Sequence, residues 1–382
     1  MFPYERLRRR PDVEAPNLFA SDAADRLLAD LAGDDVLRGG LVVIGDAYGA
    51  LTLAAAARGA RGIRVHQDPL TAERALDANA ADLGLSGTFE HRPLDASLVA
   101  GARTVLLRLP RSLEALAEIA ALTAEHAHPE VGVFAGGMLK HMTTAMNGVL
   151  AEVFGDVQAS LARQKARVLT ARTPEPAAAI ALDRWPDRAF DEATGLHVCA
   201  HGAAFAGASV DIGTRFLLTV LGDAVPEART AIDLGCGTGL LASALAVSRP
   251  ALRVIATDQS AAAVASARAT AAANGVADRV AVVRDDGLAS QPDASADLIV
   301  LNPPFHIGGA VHTGIAQRMF ADAGRVLAPG GELWTVWNSH LGYRAALERA
   351  VGPTRQIARN PKFTVTASTA TPEGRVTAPA TV

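Results

Sequence analysis

The sequence predicts an α/β protein made of two tandem, doubly wound domains that arose by internal duplication, and three observations carry that prediction. Short apolar runs of strand length alternate with helix-length stretches through both halves of the chain, the pattern of a parallel sheet covered on both faces. Two of the runs end in glycine-bearing turns, at 45–49 and 235–239. Landmarks of the first half also return in the second at a slowly drifting spacing. Asp68 and Asp258 are 190 positions apart, and Arg108-Leu109-Pro110 and Asn302-Pro303-Pro304 are 194 apart. Ala162-Arg163-Gln164-Lys165 matches Ala358-Arg359-Asn360 and Lys362 at 196 or 197. Such drift is what a duplicated unit with small insertions leaves.

Bulk properties narrow the class. A chain of 382 residues suggests two or three domains at about 150 residues each. Hydrophobic residues make up 49% and aromatic ones only 4%, so the cores must be aliphatic. The formal charge of −4 argues against nucleic-acid binding by overall charge and leaves room for a local basic patch. No apolar run of about 18 uncharged residues predicts a membrane span. The first ten residues carry charge without an apolar stretch behind it, unlike a secretory signal. Two cysteines, Cys199 and Cys236, are too few for a disulfide scaffold or a cysteine-only metal site. A monomer in the cytoplasm, with no membrane partner, is the expectation.

In the first half, Ser21-Asp22 reads as the N-cap of a helix over 23–31. A buried strand at 41–44 runs into the turn at 45–49, and a helix over 50–57 follows. Then come a strand at 63–66 before Asp68, a helix from about 71, a strand at 104–108 and a helix at 112–122. A strand at 131–134, a long helix over 138–154 and a hairpin of 157–161 with 167–170 close the half. Pro174, Pro176 and Pro186 mark an interdomain segment, so the predicted domains are 1–182 and 201–382, with a linker at 183–200. His197, Cys199 and His201 lack the spacing of a zinc site and read as a loop; no metal is expected.

The second half repeats the order. A strand at 230–234 enters the glycine turn, a helix follows, and a strand ends in Asp258. A helix over 260–274, a strand at 279–283 before Asp285-Asp286, and a strand at 296–301 come next. A helix over 313–327, a turn at Pro329-Gly330-Gly331, a strand at 332–336 and a helix over 340–351 lead to a hairpin of 355–358 with 363–367.

Two stretches carry chemistry. The first is Asp233-Leu234-Gly235-Cys236-Gly237-Thr238-Gly239, a strand end and glycine turn of the kind that brings bare backbone to a nucleotide-like ligand. Leu240 stands where a dinucleotide fingerprint would need its third glycine. Asp258 lies 19 residues after Gly239, at the end of the next strand, where a carboxylate can accept both ribose hydroxyls of a nucleoside. The second is Asn302-Pro303-Pro304-Phe305, at the end of the strand across the sheet edge. It suits one task, holding a planar NH2 whose lone pair is delocalised. The Asn302 side-chain oxygen and the Pro303 carbonyl can accept both N–H bonds, and the prolines stiffen the turn. Phe305 offers a stacking face worth about 1–3 kcal/mol per base. Alignment rather than a strong base should then supply most of the rate.

The glycine turn resembles the first motif of class I S-adenosylmethionine (SAM) methyltransferases. The chain as a whole resembles the two-domain bacterial ribosomal RNA guanine-N2 methyltransferases, closer to the branch acting on the large-subunit RNA. That resemblance rests on 210–216 (Val-Asp-Ile-Gly-Thr-Arg-Phe), 233–239, Asn302-Pro303-Pro304-Phe305-His306, Asn338-Ser339-His340-Leu341-Gly342-Tyr343 and Asn360-Pro361-Lys362-Phe363. It implies two Rossmann-like methyltransferase domains, the first degenerate and the second catalytic, with SAM as cofactor and ribosomal RNA, free or in a subunit, as partner. The implied cofactor site is Asp211, Gly213, Asp233, Gly235, Gly237, Gly239, Asp258 at the ribose with Gln259, Asp286 by the adenine, and Asn302. Asn302 would hold the exocyclic amine, with Pro303 and Pro304, and Phe305 would stack the flipped guanine. The first half departs from these motifs. Tyr48 stands where the methionine part of SAM needs room, Arg108 replaces Asn302, and Arg111 follows Pro110 in place of an aromatic residue. In the second half, Phe205 is followed by Ala206-Gly207 rather than the Ser-Arg usual in the family.

The Asn-Pro-Pro-aromatic motif also serves adenine-N6 and protein glutamine-N5 methylation, because all three substrates present a planar NH2. The duplicated architecture favours RNA guanine, since a spare domain can hold a large structured substrate. A non-catalytic RNA-binding assembly factor is the reading from another class, and the intact set in one half argues against it.

Overall fold

The computed structural model of the protein describes residues 2–175, 182–303 and 311–371. Two compact units divide the chain: Met1–Pro186 with His201–Ala203, and Asp187–Ala200 with Ala204–Val382.

In the first unit, α1 (Ala23–Ala32) precedes β1 (Leu41–Ile44), α2 (Ala50–Ala57), β2 (Ile63–His66), α3 (Leu70–Leu83) and β3 (Phe89–His91). Then come α4 (Ala96–Val99), β4 (Thr104–Arg108), α5 (Leu113–His126), β5 (Gly132–Met138), α6 (Ala145–Ala151), β6 (Phe154–Ala159) and β7 (Ala166–Pro174). The seven strands form one sheet in the order β3-β2-β1-β4-β5-β7-β6. β1 to β5 are parallel, and β7 runs antiparallel to both of its neighbours. Both faces are buried because alternate side chains of one strand enter different cores. Val42 and Ile44 pack with Val105, Leu107 and Leu116, while Leu41 and Val43 pack with Leu28, Leu53, Leu76 and Leu106. Helix α1 begins with a capping box: Asp22 accepts from the Ala24 and Asp25 N–H groups, and Asp25 accepts from the Asp22 N–H.

In the second unit, β8 (Asp187–Asp191) and β9 (Leu196–Ala200) form a hairpin ahead of α7 (Ile212–Leu218). β10 (Thr230–Leu234), α8 (Leu240–Ser248), β11 (Arg253–Asp258), α9 (Ala261–Ala273), β12 (Val280–Arg284) and β13 (Ala296–Leu301) follow. α10 (Val311–Val326), β14 (Leu327–Asn338), α11 (Arg344–Ala350), β15 (Thr354–Arg359) and β16 (Phe363–Thr369) complete it. The sheet order is β12-β11-β10-β13-β14-β16-β15, strand for strand that of the first unit. The two-domain α/β fold, with its repeated halves, is as the sequence predicts.

Several elements differ from the sequence reading. The long helix expected over 138–154 is instead the end of β5, a 3-10 turn at Leu139–His141 and the short α6. Gly136 stays in the strand because a Cβ there would lie 2.6 Å from Leu28 Cγ, so α1 packs directly on bare backbone. The helix expected over 340–351 is a 3-10 turn at Ser339–Leu341 followed by α11. The turn at Pro329-Gly330-Gly331 lies within β14, as a register jump: Leu327 pairs with Ala296 and Glu332 with Leu298. His197 and Cys199 sit in β9 rather than in a loop. The Cys199 N–H donates to Thr270 Oγ1 at 2.9 Å, and the Asn274 amide donates to the His197 carbonyl at 2.8 Å, fastening the hairpin to α9.

Strand register also corrects one equivalence. The Gly45 N–H donates to the His66 carbonyl and the Gly235 N–H to that of Thr257. Gln67, not Asp68, therefore occupies the position of Asp258, so the first unit lacks a carboxylate there. Among the described residues, no helix is long and apolar enough to cross a membrane.

Candidate active site

The glycine turn after β10 is built from backbone that only glycine adopts without strain. Gly235, Gly237 and Gly239 have φ of 71°, 52° and 74°. The Gly235 and Cys236 N–H groups both donate to the Thr257 carbonyl, at 2.8 and 2.9 Å, which hangs the turn on the end of β11. At Gly239 a Cβ would lie 2.7 Å from the Cβ of Ala267, so α9 closes against the turn, whereas a Cβ at Gly237 would meet nothing within 4 Å. The Gly237 N–H donates to Asp258 Oδ2 at 3.0 Å, and Asp258 Oδ1 accepts the Ser260 N–H at 2.9 Å. The carboxylate at the end of β11 is thereby held beside the open glycine. Gln259 follows it, and its carbonyl accepts Arg284 Nε at 3.2 Å.

Asp233 lies beneath the turn rather than on its surface. It is 1% exposed, and its Oδ2 accepts the Ala242 N–H at 3.0 Å, joining β10 to the start of α8. Burial pushes its carboxyl up to about 7 from 3.8, against the Ala242 hydrogen bond, and the charge of Asp258 adds to the rise. A folded-state value above the unfolded one means that folding is favoured most below pH 3.8 and loses that contribution as pH climbs through about 7. Asp233→Asn keeps an acceptor and cannot ionise. Denaturant melts of the variant and the wild type should diverge in the variant's favour by a few kcal/mol between pH 4 and pH 8. Parallel curves would show that Asp233 stays charged at no cost.

Asn302 follows β13, in register beside Leu234 of β10 through the Leu234–Leu301 pair. Its Nδ2 donates to Asp211 Oδ2 and to Thr214 Oγ1, both at 2.9 Å. Asp211 is the N-cap of α7, and the same Oδ2 accepts the Gly213 N–H at 2.9 Å and the Thr214 N–H at 3.2 Å. A Cβ at Gly213 would lie 3.3 Å from Asn302 Oδ1 and 3.1 Å from Asp211 Oδ2, so the missing side chain lets Asn302 approach the helix. With its NH2 spent on Asp211 and Thr214, Asn302 presents a buried Oδ1 that has no hydrogen-bond partner among the described residues. Pro303 is buried next to it. Pro304 and Phe305 lie outside the described residues.

Asp286 stands beyond β12, half-buried, with Arg318 Nη2 at 3.8 Å from its Oδ1. Its neighbour Asp285 is 2% exposed and accepts the Asp286 N–H at 2.9 Å and the Ser290 N–H and hydroxyl, each at 2.8 Å. The structure thus groups Asp211, Gly213 and Asn302 at one strand end, and the three glycines, Asp258 and Gln259 around the turn. Thr214 escaped the sequence reading. The available signal was its place three residues after Asp211, the N-cap-to-N3 spacing.

In the first unit the same positions are closed by side chains. Asp46 accepts the Leu51 and Thr52 N–H groups, doing for α2 what Asp233 does for α8. The Tyr48 hydroxyl donates to Asp12 Oδ2 at 2.6 Å, the Arg9 guanidinium lies 4.6 Å from its ring centre, and Asn79 ties the Tyr48 carbonyl to Arg8. Arg108, at the place of Asn302, bridges Asp22 at 2.8 and 3.0 Å and Asp25 at 2.9 Å.

Comparison with known proteins matches both halves. A family model described as the methyltransferase small domain matches residues 195–367, and one described as the RLMG N-terminal domain matches residues 3–175. The chain is 38% identical over 375 residues to the ribosomal RNA large subunit methyltransferase G of Streptomyces coelicolor, covering 94% of this chain and 96% of that one. It is also 38% identical over 363 residues to the protein of the same name from Ectopseudomonas mendocina, covering 94% and 96%. Among solved structures, the 16S rRNA N2 G1207 methyltransferase of T. thermophilus, in complex with AdoMet and guanosine, superposes with a TM-score of 0.74 at 22% identity. It covers 94% of this chain and 97% of its own, and shows the shared two-domain fold.

Proposed function

The chain belongs to the family of ribosomal RNA large subunit methyltransferase G, and from that premise we propose that it methylates the exocyclic N2 amine of a guanine in ribosomal RNA. SAM is the cofactor. The residues fit it: the backbone at Gly237 is open to a ligand, and Asp258, an acceptor of ribose hydroxyls in this reading, is held beside it. When bound, SAM supplies an electrophilic methyl group on a positively charged sulfur.

The chain's own residues bind and orient. The observation that carries the reading is the orphaned, buried Oδ1 of Asn302. A buried acceptor without a donor costs roughly 1–3 kcal/mol, so the site is built for a donor that arrives with the substrate. An exocyclic amine offers two N–H bonds. In our reading Asn302 Oδ1 takes one and the Pro303 carbonyl the other, so that the nitrogen lone pair points away from both, along the line of attack. Phe305 stacks on the extruded base. Asp286 accepts from the adenine, and Asp211 and Gly213 line the methionine end. The first unit serves RNA rather than chemistry. The N-terminal stretch against Tyr48, Gln67 at the position of Asp258 and Arg108 at that of Asn302 support that division.

The test is labelling with methyl-tritiated SAM, using naked ribosomal RNA and, separately, assembled subunits, followed by digestion to nucleosides. Label in N2-methylguanosine is expected. Label in N6-methyladenosine, or in protein alone, would overturn the proposal.

A further inference from the structure

The Asn302 amide could sit with either end toward the substrate, and only one orientation presents an acceptor. We infer that Asp211 and Thr214 form a socket in which Asp211 selects that orientation and Thr214 holds its plane, which makes both of them positioning residues for methyl transfer. The inference rests on the role of Asn302 proposed above.

The geometry makes the choice one-sided. An ionised Asp211 has only acceptors, so the face of Asn302 turned toward it must be the NH2. Asp211 Oδ2 already accepts the Gly213 and Thr214 N–H groups, which pins the carboxylate at the start of α7 before Asn302 arrives. Thr214 Oγ1 takes the second amide hydrogen at 2.9 Å, so both N–H bonds are used and the amide plane is set by two anchors. Flipping Asn302 would turn its oxygen toward the Asp211 carboxylate and strand two amide hydrogens where the buried Oδ1 now lies. This costs the bond to Asp211 and adds a repulsion, while the Thr214 hydroxyl, donor as well as acceptor, can serve either end and so fixes the amide plane rather than the choice. Gly213 belongs to the device, because a Cβ there would press on both Asp211 Oδ2 and Asn302 Oδ1.

The first unit is an internal control. Asp22 is the N-cap of α1 as Asp211 is of α7, Asp25 stands three residues on as Thr214 does, and Arg108 ends the strand where Asn302 stands. The strand-end-to-cap contact survives there, but its members are an ion-paired arginine and two carboxylates. A guanidinium has no acceptor and no orientation to select. What distinguishes the second unit is therefore the hydroxyl and the amide, the two groups that the proposed orienting role requires.

The test uses the full-length protein and three substitutions besides Asn302→Ala. Asp211→Ala removes the one oxygen that both caps α7 and accepts from Asn302, at a cost of about 1 kcal/mol for the lost cap. Thr214→Val removes the hydroxyl at nearly constant shape, and Thr214→Ser restores it. The expectation for D211A and T214V is a kcat lower by about tenfold or more, and T214V, whose residue has no part in the cofactor site, should keep SAM affinity within about threefold and melt like the wild type. T214S should recover the rate lost in T214V. Independently of turnover, the Asn302 side-chain NH2 should exchange slowly with solvent in nitrogen-labelled wild-type protein and fast in T214V. Normal kcat and slow exchange in both D211A and T214V, with N302A inactive, would overturn the socket and leave the function standing. A D211A defect confined to SAM affinity would overturn it too, by leaving Asp211 its cofactor role alone. Full activity of N302A would instead remove the reading beneath it.

Discussion

Replacing Asn302 by alanine is expected to abolish methyl transfer while leaving SAM affinity within a few-fold of the wild type. Among the described residues the side chain hydrogen-bonds only through its NH2, to Asp211 and Thr214, and its Oδ1 is left over. Alanine removes that acceptor and the constraint it would place on the substrate nitrogen. Catalysis of this kind depends on the angle and distance between a weak nucleophile and a methyl group, and misplacement by an ångström costs on the order of a hundredfold. A loss of at least that size in single-turnover rate is therefore expected. The cofactor should still bind, because the open glycine turn and Asp258 are anchored to each other and to Thr257 and Ser260, not to Asn302. Single-turnover kinetics and equilibrium SAM binding on the same preparation separate the cases. A variant that no longer binds SAM would move Asn302 from the acceptor's role to the cofactor's.

The second large effect is on stability. Arg108→Ala should destabilise the first unit by about 3 kcal/mol at neutral pH, because it leaves two carboxylates at the α1 cap without their cation. Asp25 is 7% exposed, and burial already pushes its carboxyl up to about 7 even with Arg108 present to oppose the rise. Asp22 behaves in the opposite way. Burial would raise it, but the hydrogen bonds and charge of Arg108 outweigh burial and hold it below 3.8. The depressed Asp22 contributes stability that is present above pH 3.8 and lost as the pH falls below it. The raised Asp25 takes stability away progressively as the pH climbs from 3.8 to about 7, and more so without the arginine. The gap between wild type and Arg108→Ala should therefore be widest near and above neutrality and shrink on acidification. Urea unfolding across that range, with hydrogen exchange read on peptides from α1 and β4, measures it. An equal gap at all pH values would mean that Arg108 acts through packing alone.

Much of the architecture was legible because a sheet buried on both faces writes itself as short aliphatic runs. Leu41-Val42-Val43-Ile44 and Leu298-Ile299-Val300-Leu301 have little choice but to be inner strands. The glycine turns were equally readable, since three positive φ angles within five residues leave glycine as the unstrained residue. Element ends were less so. The strand β5 runs on past the end expected for it at 134, through Gly136 and Gly137. They are tolerated because a strand takes its stability from its neighbours, and α1 needs the space a Cβ would fill. The equivalence of Asp68 with Asp258 failed for a related reason. A spacing count takes the drift to be smooth, whereas the backbone hydrogen bonds show that one residue of it falls before the second strand's acid.

By itself the sequence determined the fold, the duplication and the asymmetry between the halves, because each follows from local patterns: apolar runs, glycine positions and the residue types at two turns. The tertiary structure alone decided which atom of each site residue faces which partner. Asp233 is a buried tie rather than a surface group, Asp258 is fixed by the Gly237 N–H, and Asn302 turns its NH2 to Asp211, 91 positions away, and its oxygen to none of the described residues. Chain order cannot encode such choices. A side-chain amide has two chemically opposite ends on one plane, and only the groups that folding brings against it determine which end is left without a partner.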